Sequence, residues 1–169
     1  MTNGRMRWMA ATALLAFSGF LSAHHSIGVF EITRPIWVKG TVMRYNWSNP
    51  HAAIIVEQKL DNGQTTRWAI ESSAPIRLLL NRGFTKHSFK IGDVIEACGF
   101  APKSSNTRYL PIAESGNSER SSHWLAGADR VITGRLLLTK DGPRVHWSHY
   151  GPLASCINEE QLHEFSHED

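Results

Sequence analysis

Four residues offer the most chemistry: His24, His25, His51 and Glu71. The first two matter because of where the chain is cut. Residues 1–9 carry Arg5 and Arg7 and no acid, and Ala10 to Leu21 is uncharged and rich in Ala, Leu and Phe. Leu21-Ser22-Ala23 supplies a small residue at the end of that stretch. This is the order of an export signal, with cleavage near Ala23. The apolar stretch is shorter than the ~20 residues a spanning helix needs. No stable membrane anchor is therefore expected after cleavage, and the mature protein is expected in the periplasm or secreted. A cut after Ala23 makes His24 the amino terminus, with an α-amine and an imidazole as ligands. A cut after Ser22 gives Ala-His-His, in which the amine, two deprotonated amides and the imidazole of His25 can chelate. Both are nitrogen sets that suit copper in a tetragonal plane. The competing reading is a solvated, loose chain end.

His51 follows Ser48-Asn49-Pro50 and can add a third nitrogen, giving a candidate metal set of His24, His25 and His51. Glu71 ends a segment expected to pair with the one His51 opens. In an antiparallel hairpin the start of one strand lies beside the end of the next. Glu71 can then orient the imidazole as an outer partner of a ligand site, or the pair can simply brace a turn. Trp47, Asn49, Trp68 and Glu71 form a candidate small-ligand set. Indole faces in barrels stack on flat ligands, although tryptophans of this kind also fill cores. His51 and Glu71 are expected at one end of the barrel, with Trp47 and Trp68 nearby.

Other signals carry less. His163-Glu164-Phe165-Ser166-His167 matches the metalloprotease pattern, but only Glu168 and Asp169 follow it. No third ligand and no long buried helix supports it, so it reads as chance. There is no G-x-S-x-G, no phosphate-binding glycine loop and no C-x-x-C. An enzyme is not expected.

The elements that must position these residues read as mainly β. Ile36 to Trp47, His51 to Leu60 and Thr65 to Glu71 form a meander, with Asp61-Asn62-Gly63 as a hairpin turn. Gly40 suggests a bulge. A short helix follows, with Ser72 or Ser73 as cap, Pro75 in its first turn and Gly83 as its stop. Val94 to Phe100 is a fourth strand and Tyr109 to Ala113 a short one. The polar stretch 114–130 is an inserted loop. Val131 to Thr139 and Pro143 to Trp147 make a last hairpin. Three strands, a helix and further strands give a small OB-fold-like antiparallel barrel, or an open meander. The domain is expected over 24–155, with an acidic tail over 156–169.

Removing 23 residues from 169 leaves 146, enough for one core. Arg5 and Arg7 leave with them, so 18 basic residues fall to 16 against 15 acidic ones, a net +1. Such a balance gives no electrostatic footprint for nucleic acid. Cys98 and Cys156 are the only cysteines. In an exported protein they can pair, while Cys98 in a strand can equally be a buried thiol.

Several short motifs resemble those of a family of small exported bacterial proteins known only as a domain of unknown function. They are Ala23-His24-His25-Ser26 with Phe30, Trp47-x-Asn49-Pro50-His51, Trp68-x-x-Glu71, Arg82-Gly83-Phe84 and Gly92-Asp93. The resemblance covers about residues 23–113, and the chain departs from it after Ala113. It implies an exported β-barrel-like domain and no particular activity.

Overall fold

The computed structural model describes residues 27–49, 51–103, 125–144, 147–148 and 152–157. A 3-10 turn, Ile27–Val29, leads into β1 (Phe30–Asn46). Next come β2 (Ala53–Lys59), β3 (Thr65–Glu71), α1 (Ile76–Asn81), β4 (Val94–Pro102), β5 (Arg130–Thr139) and β6 (Gly142–Arg144). A second 3-10 turn, Leu153–Ser155, stands near the end. Among the described residues no helix is long and apolar enough to cross a membrane.

The strands form one sheet in the order β3-β2-β1-β4-β5-β6, and β3 also pairs with β5. That extra pairing bends the sheet into a ring of five strands with β6 outside it. The fold is thus mainly β and OB-fold-like, with one short helix after the third strand. Among the described residues the β3–β5 seam is the one parallel pairing, and the other pairs are antiparallel. It arises because the chain crosses from β3 through α1 and β4 before returning, so β5 runs with β3 rather than against it. The seam joins only Trp68–Glu71 to Arg130–Thr133, and further along β5 pairs with β6 instead. The ring is therefore not a clean barrel.

β1 is long because it serves two partners. Its first half pairs with β4 and its second with β2. It starts at Phe30, earlier than the expected Ile36. Ile32 and Thr33 favour extended chain, while Pro35 lacks a backbone donor, and the register with β4 slips between Phe30 and Pro35. The irregularity on the other edge of β1 lies at Met43, between Val42 and Arg44, rather than at Gly40. Gly40 serves close approach instead: a Cβ there would stand 2.7 Å from the Glu57 carbonyl oxygen.

Side chains alternate along β2. Ala52, Ile54 and Val56 enter the main core with Val38, Val42, Ile70, Ile132 and Leu137. Ala53 and Ile55 face outward into a second cluster with Ala69, Leu125 and Ala128. Both faces of β2 are covered, which is why it reads as an apolar run rather than an alternating one. The end of the expected polar loop is accordingly packed, with Leu125 and Ala128 buried. Trp147 lies fully buried in the main core, with its ring edge against Gly134. The expected strand over 109–113 and the tail from 158 lie outside the described residues.

Candidate functional site

Strand register builds the site. Ala53 pairs with Glu71, and His51 stands two residues before Ala53 on the same side of the chain. His51 Nδ1 lies 2.6 Å from Glu71 Oε1. The side chains are 8% and 0% exposed. A carboxylate buried this deeply needs a polar partner, and the imidazole provides one. The contact occupies Nδ1 and fixes the ring, so Nε2 is the nitrogen that points away from Glu71. The hairpin reasoning from Asp61-Asn62-Gly63 thus brings together the two residues it joined. The turn itself holds through Gly63 N–H to the Leu60 carbonyl at 2.9 Å and Gln64 N–H to Asn62 Oδ1 at 3.0 Å.

The tryptophans do not close around this pair. Trp68 and Glu71 are three residues apart on one strand, so their side chains leave opposite faces. Trp68 belongs to the main core, donates its indole N–H to Gln58 Oε1 at 2.9 Å, and lies under the Arg130 guanidinium at 5.4 Å. Trp47 is half-buried and packs on Tyr45, with ring centroids 5.7 Å apart. Asn49 is exposed. His24, His25 and the His163–His167 motif lie outside the described residues. Among the described residues no group of three His, Cys, Asp or Glu side chains is placed to hold a metal.

A buried hydroxyl chain stands beside Glu71 that sequence reasoning missed. Thr133 pairs with Glu71 across the β3–β5 seam. Ser73 Oγ lies 2.7 Å from Thr133 Oγ1, which lies 3.1 Å from Ser148 Oγ. Arg135 Nη1 donates to the Ser148 carbonyl at 3.0 Å. Burial, and then the charge of Arg82, holds the Arg135 guanidinium below its ordinary pKa. The two serines were expected to cap α1, but they do not. Pro75 is the N-cap residue, without a side-chain cap bond. Ser72 Oγ instead accepts from Ala74 N–H at 3.2 Å. Ser73 has φ 54°, left-handed and unfavourable for a side chain with a Cβ, and its bond to Thr133 offsets that strain. The Ser-Ser pair was the only signal, and it looks the same whether it caps a helix or crosses to another strand.

At the open end of the aromatic core, Tyr45 donates to the Thr85 carbonyl at 3.2 Å. Burial pushes its phenol well above the ordinary tyrosine range.

Cys98 and Cys156 form a disulfide with Cα atoms 5.7 Å apart, which settles the choice between tether and free thiol. The bond sits in a third cluster, with Phe30, Phe100, Leu136 and Ile157. Cys156 and Ile157, at the start of the expected tail, are thus part of the packed domain.

No curated protein matches the chain in sequence. A family model matches residues 12–111. That span takes in the paired histidines, His51, Glu71 and strands β1 to β4, and ends before β5 and Cys156. The chain belongs to the family of unknown function DUF6152.

Proposed function

We propose that this protein is an exported metal-binding module that takes copper through His51 and the amino-terminal His24–His25 pair. One observation carries this reading: the His51 imidazole is held at Nδ1, 2.6 Å from a fully buried carboxylate. Metal-ligating histidines are commonly oriented this way, with the second nitrogen toward the ion. Ligation here uses His51 Nε2 and the terminal amine and imidazole nitrogens, a set without thiolate that suits copper(II).

The test is a copper titration of the exported, processed protein, whose terminus is first fixed by mass spectrometry. Binding is expected to weaken by about 10–100-fold in Glu71→Gln, the usual effect of losing a partner that orients a ligand. An extra residue ahead of the terminus, or His51→Ala, is expected to weaken it at least as much. Equal binding by all four proteins overturns the reading and leaves His51–Glu71 as a structural brace in an accessory domain.

A further inference from the structure

We propose that the groove beside the β2–β3 hairpin binds a short neutral saccharide, held by Gln58, Gln64, Thr66, Asp129 and Arg130 above a floor of Trp68. This groove is separate from the copper site proposed above. The hairpin runs roughly 20 Å from Ala53 to Lys59, and His51 and Glu71 stand at its other end.

Strand register places the groove. Val56 pairs with Trp68, and both enter the main core. Gln58 and Thr66 are the next pair on that same face. There the core face runs out of the ring into a groove of about 960 Å³, toward the upper end of the ~300–1,000 Å³ usual for small-ligand sites. The opposite wall is Asp129 and Arg130, at the start of β5. Asp129 Oδ2 accepts the Arg67 N–H at 2.8 Å, and the Asp129 N–H donates to the Arg67 carbonyl at 2.8 Å. These bonds extend the β3–β5 seam and set the Arg130 guanidinium over the Trp68 indole at 5.4 Å. Both walls thus stand on bonded strands, so the groove is formed before any ligand arrives.

The side chains are also aimed. Gln58 Oε1 accepts the Trp68 indole N–H at 2.9 Å, which turns the amide NH2 away from the indole. Asn62 Nδ2 donates to Gln64 Oε1 at 3.0 Å and orients that amide in the same way. Two amide donors, the Thr66 hydroxyl, the Asp129 carboxylate and the Arg130 guanidinium therefore border one apolar floor.

The two faces of the hairpin differ in kind. The outward face carries Glu57, Lys59 and Arg67, with Glu57 and Arg67 paired at 3.2 Å. Such charges serve a strand end that needs only water. The groove face carries amides and a hydroxyl instead. Among the described residues that line it, the charged ones are Asp129 and Arg130, which balance. No net field draws an anion there. Directed donors and acceptors around an indole suit a ring with hydroxyls at its rim and C–H groups on its faces.

Amide NMR of the full processed protein, titrated with maltotriose, cellotriose and chitotriose, tests the site. At least one is expected to shift the backbone amides of Gln58, Thr66 and Arg130 saturably, while that of Ala52 stays in place. Arg130→Ala is expected to weaken binding by about tenfold or more, and Gln58→Ala by about three- to tenfold. Thr66→Val removes the hydroxyl while keeping the shape, and reads the same loss where either of the others unfolds. Lys59→Ala, on the outward face, binds as the parent does. No saturable shift with any of the three saccharides overturns the proposal. Equal binding by the parent, Arg130→Ala and Thr66→Val does so too, because the saccharide then sits elsewhere. A shift with a heparin tetrasaccharide alone, fading as salt is added, also overturns it, because the groove is then an anion site.

Discussion

Removing His51 while keeping Glu71 is the most direct perturbation of the site. The pair is 2.6 Å apart and almost closed to water, so solvent screens it little. Taking one partner from such a pair typically costs about 3–5 kcal/mol, because the remaining group has been desolvated without compensation. His51→Leu is expected to lose that much, about 10–15 °C in Tm for a domain of this size. Glu71→Leu alone also destabilises, by leaving a covered imidazole without its carboxylate. The double change His51→Leu/Glu71→Leu is expected to lie within ~1 kcal/mol of the parent, since replacing a buried pair by apolar side chains is often neutral. Urea unfolding of the four oxidised proteins at neutral pH measures the cycle, with constant m-values as the check on two-state behaviour. A coupling below ~1 kcal/mol, or costs that simply add, would show that the two groups do not form one buried unit. The proposed metal site would then lose its oriented histidine as well.

Two further outcomes follow from the packing. A Cβ on Gly134 would stand 2.6 Å from Ile70 Cγ2 and 2.9 Å from Trp147 Cδ1, so Gly134→Val is expected to cost about 1–3 kcal/mol or more by overpacking, read as a lower urea midpoint. An absorbance titration of the native protein should show a tyrosine that ionises later than in the unfolded chain, and Tyr45→Phe should abolish that late step. Its phenol is raised above the unfolded value of about 10, so its contribution to stability is intact below that pH and is lost as pH climbs past it. A late step that survives unchanged in Tyr45→Phe, or no late step while the fold persists, would refute this.

How much the sequence revealed depended on how local each signal was. Thr65–Glu71 is legible to the residue because Asp61-Asn62-Gly63 fixes one end and Ser72-Ser73 breaks the other. The His51–Glu71 contact is legible for the same reason, since a hairpin turns sequence distance into register. The start of β1 is not legible. Pro35 marks an irregularity that a single strand tolerates only because β4 shifts against it. Trp68 is expected near the pair from the hairpin register, but side chains leave a strand by parity, and three residues from Glu71 puts the indole on the opposite face. The hydroxyl chain was hidden because Ser73, Thr133 and Ser148 meet only through the β3–β5 seam and the segment after β6.

The family match stops at residue 111, yet the ring does not. β1 to β4 alone make an open sheet with β3 and β4 as its edges. β5 covers both edges, parallel to one and antiparallel to the other, and it carries Thr133 to the side of Glu71. Unpaired edges expose backbone donors and acceptors and invite association. The matched segment thus holds His51, Glu71 and the paired histidines, while β5, beyond it, closes the sheet. The residues proposed as ligands and the strand that closes the sheet beside them lie on different stretches of the chain. Changes after residue 111 are therefore expected to act on the candidate site through the position of its elements, leaving the ligating atoms themselves unaltered.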